Sequence, residues 1–175
     1  MNKRKHSSSC SGLSIGPLFL TVVLIAAAAW YISGHWFQLM VITGASMSPT
    51  YHSGQFTAID RRDRSFGEGD VVALRCENLH AILVKRIAAG PGDTVVITGG
   101  HLLINGRPSP VYGEIPFENA GILEEERTLS EGSWIVFGDN IAQSRDSRDE
   151  RVGIVQEKDI IGKIIPQKSP ELSFP

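Results

Sequence analysis

The sequence predicts a mainly β protein, with bent antiparallel sheets forming a barrel-like domain behind one N-terminal transmembrane helix. Three observations carry that expectation. Ile15 to Ile32 is an apolar run without a charge, short β-branched runs recur from about Leu39, and glycine, asparagine and proline punctuate them. The 175 residues carry a net charge of −2 and suffice for one domain with a core plus a short appendage. No basic field is present to attract nucleic acid, which is not expected as a partner.

As a helix, the run IGPLFLTVVLIAAAAWYI would extend roughly 27 Å at about 1.5 Å per residue, close to the ~30 Å hydrocarbon layer of a bilayer. Lys3, Arg4 and Lys5 precede it, and the first acidic residue is Asp60. Basic flanks stay in the cytoplasm, so the expected protein crosses the cell membrane once, N-terminus inside and the bulk of the chain outside. Trp30, Tyr31, Trp36 and Phe37 suit the exit interface. A cleavable leader would place small residues just after its apolar core. Here Ala26 to Ala29 lie inside the run and bulky rings follow, which favours a retained anchor. Pro17 is compatible with the first turn. The expected organisation is a basic cytoplasmic tip (1–14), an anchor (15–34), an extracytoplasmic domain (35–168) and a short tail (169–175). Cys10 and Cys76 fall on opposite sides of the membrane in this topology, so the fold must stand without a disulfide between them.

Strands are expected at Leu39–Thr43, Gln55–Ile59, Asp70–Arg75, Ala81–Ala88, Thr94–Thr98, His101–Ile104, Ser133–Phe137 and Ile160–Ile165, on length and β-branched content. Gly99-Gly100 is a hairpin signal and Asn105-Gly106 a further turn. Outside the anchor no amphipathic pattern sustains a long helix. Pro108–Glu131, proline-rich and then acidic at Glu124-Glu125-Glu126, reads as a surface excursion.

Three polar segments invite a chemical reading. In Gly44-Ala45-Ser46-Met47-Ser48-Pro49-Thr50, a serine taken alone is a turn residue, and it needs a neighbouring base to become a nucleophile. Ser48 stands where a nucleophile elbow would carry its second glycine, and Pro49 replaces the lysine of an S-x-x-K motif. In Ala81–Ile87, alternation puts Lys85 on the face of Leu83 and Ala81, with Arg86 opposite. A strand-end lysine usually snorkels to water, but a buried one releases its proton more readily and can then accept one from serine. Arg86 stays protonated and is no rival base. The third segment, Gly138 to Arg148, reads by itself as an exposed loop with a weak Asp146–Arg148 pair. His52 and His80 raise a Ser/His/Asp alternative, yet His80 faces away from Lys85 by parity and His52 has no fixed direction. Cys76 and His80 are too few ligands for a metal, and neither metal nor other cofactor is expected.

Taken in order, these segments resemble the type I signal peptidases, a Ser/Lys protease family. The boxes are Ser46-Met47-Ser48-Pro49-Thr50, Gly69-Asp70-Val71-Val72, Lys85-Arg86 through Gly90-Pro91-Gly92-Asp93, and Gly138-Asp139-Asn140 through Ser144, Asp146, Ser147 and Arg148. The resemblance covers about residues 37–166. It implies a membrane-bound serine endopeptidase that cuts secretory preproteins after Ala-x-Ala-type sites, with Ser46 as nucleophile and a neutral Lys85 as general base. It further implies that Ser144 orients the lysine, that Asp146 and Arg148 form a structural ion pair, and that the Ser46 N–H is an oxyanion donor. Gly44 stands where some members carry a second donor hydroxyl, so a backbone amide or Thr43 is left for that part. Ile42, Met47, Leu83 and Val84 flank the pair and are expected to line shallow apolar pockets, with the substrate added along the edge at Ile82–Lys85. Two other readings stand beside this one: a peptidase dedicated to a pilin or conjugation protein, and a non-catalytic tethered β-domain.

Overall fold

The computed structural model describes residues 15–166. The expected tip (1–14), with Cys10, and the tail (169–175) lie outside the described residues. The chain divides into two compact units at His35 and Trp36. Helix α1 (Ile15–Trp36), all but its last residue in the first unit, runs past the expected end at Gly34. Its window Gly16–Trp36 has a mean hydropathy of 1.8, and none of it is buried, so the helix is long and apolar enough to cross a membrane. The Thr21 hydroxyl donates to the Leu18 and Pro17 carbonyls at 2.8 and 3.1 Å, which keeps this polar group satisfied within the helix.

The second unit is built from antiparallel strands: β1 (Phe37–Val41), β2 (Phe56–Asp60), β3 (Val71–Cys76), β4 (Ala81–Ala89), β5 (Thr94–Thr98), β6 (His101–Ile104), β7 (Arg107–Pro108), β8 (Arg127–Thr128), β9 (Ser133–Phe137), β10 (Val155–Gln156) and β11 (Ile160–Ile164). A seven-stranded sheet has the order β1-β2-β11-β3-β4-β9-β10, and a four-stranded sheet the order β7-β6-β5-β8. Its outer strands β1 and β10 do not pair with each other, so the sheets stay open and no barrel closes. Each of the eight expected strands appears within a residue or two of its expected bounds; β7, β8 and β10, two residues each, carry too little pattern to be read. The β5–β6 hairpin turns at Gly99 and Gly100, with φ of 56° and 78°, values that a side chain would strain.

Both faces of the middle of the large sheet are covered, while Leu39 and Phe56 at its β1–β2 end are exposed. Val72 and Leu74 of β3 join Ile87, Trp134 and Val136 on one side, whereas Ala73 joins Ile42, Met47, Ile59 and Val84 on the other. All five residues of β9 are buried, because Ile135 and Phe137 face a third cluster shared with the small sheet. The segment 108–131 is more than the expected surface excursion: Tyr112, Phe117, Leu123 and Leu129 are buried in that third cluster, and β8 pairs with β5. Its apolar residues are spaced without period, so each pins a stretch of loop rather than a face of an element.

One feature of the register bears on function. β3 pairs along β4 from Ala81 to Arg86, but β9 joins the opposite edge only at Arg86–Ala89. The stretch Ala81–Lys85 therefore has a strand neighbour on one side alone. Ile87 is fully buried between β3 and β9. Its replacement by alanine should cost about 2–5 kcal/mol in a denaturant titration, through lost transfer energy plus the cavity left behind.

Candidate active site

Ser46 sits in the loop after β1, and the base of that loop is closed by main-chain bonds. Ile42 N–H donates to the Gln55 carbonyl (2.9 Å) and Gly54 N–H to the Ile42 carbonyl (2.8 Å). Met47, 1% exposed, is the adjacent anchor in the core, and Tyr51 N–H donates to its carbonyl. The carbonyl of Ser46 is itself engaged, accepting the Asn140 N–H at 3.0 Å. The Ser46 N–H has no acceptor among the described residues, so it is free to serve a ligand.

Lys85 lies in β4 opposite Val72 of β3 and is 2% exposed. Its Nζ stands 2.8 Å from Ser46 Oγ, joined by a hydrogen bond between groups 39 residues apart. Burial lowers the lysine pKa to about 8. The carboxylates of Asp146 and Asp139 oppose that shift, and Arg148 assists it.

Both carboxylates are held by guanidinium groups. Arg86 binds Asp139 through Nε (2.8 Å) and Nη2 (2.6 Å), donates through Nη1 to the Gly69 carbonyl, and reaches Thr50 of the Ser46 loop through Nη2 (3.4 Å). Arg148 binds Asp146 through Nε (2.8 Å) and Nη2 (3.0 Å). The Asp146 side chain is fully buried, unlike that of an exposed loop pair. Arg148 also donates to the Ile141 and Ser144 carbonyls, which ties the loop to its own turn. The Ser147 hydroxyl accepts the Val136 N–H, fastening the same loop to β9.

Ser144 reaches the site by a different route from the one expected. Its hydroxyl accepts the Gly138 N–H at 3.1 Å, and no hydrogen bond joins it to Lys85. Gly138 is the joint: a Cβ there would collide with Ser144 Oγ and the Ser46 carbonyl, so only glycine fits between the Ser144 side chain and the Ser46 backbone. Gly44, at φ 88°, donates its N–H to the Ser53 hydroxyl (3.2 Å), so a side-chain oxygen does stand beside it, from a residue with no sequence signal. Thr43 is exposed beside it.

Ile42, Met47 and Val84 pack together in one core cluster, whereas Leu83 leans on the neighbouring one. At 3%, 1% and 8% exposure the first three offer a substrate a wall rather than open pockets. His52 and His80 are exposed, and neither bonds to Ser46 or Lys85. Asp139 and Tyr112 carry parts the sequence reading left unassigned. Asp139 was legible only as a member of its box, and Tyr112, whose hydroxyl approaches Asp139 at 3.5 Å, had no signal at all. Burial holds the Tyr112 hydroxyl protonated far above the usual phenol range.

Chemically, a buried amine against a serine hydroxyl, with an unengaged N–H on the same serine, can run acyl transfer. Asp146→Ala should leave the Arg148 charge buried without its partner, costing about 3–5 kcal/mol in thermal or denaturant unfolding.

A family model described as signal peptidase, peptidase S26, matches residues 15–166. The chain is 30% identical over 152 residues to the signal peptidase I of Bacillus licheniformis, covering 81% of each chain. It is 29% identical over 153 residues to signal peptidase I U of Bacillus subtilis (strain 168), covering 82% of this chain and 81% of that one. A solved signal peptidase I from Enterococcus faecalis V583 aligns at 23% identity and a TM-score of 0.47, over 57% of this chain and 96% of that one.

Proposed function

The chain belongs to the signal peptidase family, peptidase S26, and from that premise we propose that it is a membrane-anchored serine endopeptidase using Ser46 and Lys85 to release signal peptides after Ala-x-Ala-type sites. The observation that carries the reading is the 2.8 Å contact between Ser46 Oγ and the amine of a lysine that burial has made easier to deprotonate.

In this reading neutral Lys85 takes the Ser46 hydroxyl proton as Oγ attacks the scissile carbonyl. The oxyanion that forms is met by the Ser46 N–H, with the Ser53 hydroxyl beside Gly44, or Thr43, as candidates for a second donor. The Lys85 ammonium then protonates the departing amine of the mature protein, leaving an acyl ester on Ser46. Water, deprotonated by the same amine, attacks the ester and frees the signal peptide with Ser46 restored. Gly138 and Ser144 act at a distance, fixing the carbonyl side of Ser46 and the loop beside it.

The substrate enters as an extended strand along the unpaired edge Ala81–Lys85, so main-chain hydrogen bonds set its register and side-chain size decides which bond is cut. With Ile42, Met47 and Val84 closed into a wall on one face of β4 and Leu83 on the other, alanine-sized residues fit where larger ones clash. α1 spans the membrane, the N-terminus is cytoplasmic, and the peptidase domain works on the outer side, where tethering raises its encounter rate with membrane-held preproteins. No cofactor takes part.

Ser46→Ala and Lys85→Met should each lower kcat/KM for a preprotein on the order of 10⁴–10⁶-fold, read as mature product on a gel. A variant that keeps near-normal turnover would remove the dyad from the mechanism. Lys85→Met should melt no lower than the parent at pH 7, because the parent must there bury an ammonium whose folded pKa lies below its unfolded value. That penalty is complete below about 8 and fades as pH rises toward 10.5. Activity should follow the neutral amine: kcat/KM rises with pH and levels off above about 8. A profile flat from pH 6 to 9 would contradict a lysine base.

A further inference from the structure

At one end of the large sheet lies a basin of about 390 Å³, apart from Ser46 and Lys85. Its place follows from the antiparallel order, since β1 and β4 begin there and β2 and β3 end there, bringing Gln38, Ile82, Arg61 and Arg75 to one rim. Arg64 and Lys158 complete the cations, against Glu77 and Asp159. None of these charged groups lies within ion-pair distance of another.

The four cations differ in what they have left to give. Arg64 is committed, donating to the Ile160 and Glu157 carbonyls and lying over the Phe66 ring. The side chains of Arg61, Arg75 and Lys158 have no protein acceptor among the described residues, and all three are exposed. Arg62 offers the contrast within the same turn, for its guanidinium is spent on Asp60 and on the rings of Trp36 and Phe37. Of two successive arginines, one is held and the other is open.

We propose that this basin binds the phosphate of an anionic phospholipid headgroup. The inference rests on the proposed membrane anchoring, and chain length supplies the location. Arg61 N–H donates to the carbonyl of Trp36, the last residue of α1, at 2.9 Å. Gln38, on the basin rim, follows Trp36 by no more than about 7 Å of extended backbone. An apolar span ending at Trp36 therefore delivers the basin to the headgroup layer. The exposed Ile82 on the same rim gives the glycerol end an apolar neighbour. A phosphate between Arg61, Arg75 and Lys158 would satisfy three open donors and leave Glu77 and Asp159 on the flank.

The test uses the full chain and a triple variant, Arg61→Gln/Arg75→Gln/Lys158→Gln, each placed in nanodiscs of phosphatidylcholine with or without phosphatidylglycerol. Native mass spectrometry reads which lipid each chain retains, and cleavage of a soluble signal-peptide fragment verifies folding. The parent should retain phosphatidylglycerol in preference to phosphatidylcholine, and the triple variant should lose on the order of a hundred-fold in that retention, about five-fold for each cation. Raising salt should erode the preference. Equal retention of the two lipids by an active, incorporated parent, or a preference unchanged in the triple variant, would overturn the lipid site alone. Inorganic phosphate bound as tightly in phosphatidylcholine discs would overturn it in favour of a free-anion site. A raised KM for preproteins with acidic mature segments, at an unchanged lipid ratio, would overturn it in favour of a peptide contact. Failure of the chain to enter any nanodisc would instead remove the anchoring reading, and this inference with it.

Discussion

Everything near Ser46 is organised by the problem of weakening an amine's hold on its proton inside a protein. Burial, with help from Arg148, lowers the Lys85 pKa, but two carboxylates stand close enough to oppose that shift. Each carboxylate is answered by an arginine through two hydrogen bonds, Asp139 by Arg86 and Asp146 by Arg148. The pairs serve the lysine by absorbing negative charge that would otherwise fix it as an ammonium. Arg86 itself never exchanges a proton; it holds Asp139 through two hydrogen bonds.

The same constraint explains the architecture. An amine can be dry only if both faces of β4 are covered, and the clusters on either side of the large sheet do this, with Ala73 and Val84 on one side and Val72 and Ile87 on the other. The second requirement is a rigid return of the chain after β9. Ser147 ties that loop to Val136, Arg148 ties it to its own carbonyls, and Gly138 removes the side chain that would hold it away from Ser46. The segment 108–131 belongs to this scheme, since Tyr112 reaches Asp139 and Phe117 lies beneath Arg148.

Legibility in the sequence followed the range of the interactions. Strands with strong local pattern, such as Thr94–Thr98, His101–Ile104 and Ser133–Phe137, were readable to the residue. Two-residue strands were not, because pairing with distant partners creates them. The chemistry divides in the same way. Ser46 and Lys85 could be singled out by residue type and box, yet the bond between them depends on contacts no window spans. Ser144 could be placed near the site, but its partner, the Gly138 N–H, could not. Ser53 beside Gly44 was invisible, since a turn serine nine residues away looks like any other. The buried state of Ile42 and Met47 went unread for a related reason: in a sequence, an apolar residue next to a candidate nucleophile looks alike whether it faces substrate or core.

The one-sided stretch of β4 has a further consequence, for what the site can mistake for a substrate. An edge at the border of a sheet accepts any neighbouring sheet, but this one lies inside the order, with β9 resuming on the same side at Arg86. Ala81–Lys85 is thus a notch, on the order of 17 Å long at about 3.4 Å per residue. A folded domain has no single strand to lend to a gap of that size without first unravelling. With the substrate docked there as proposed, the notch would admit unfolded chain and turn away folded domains before any side chain is inspected.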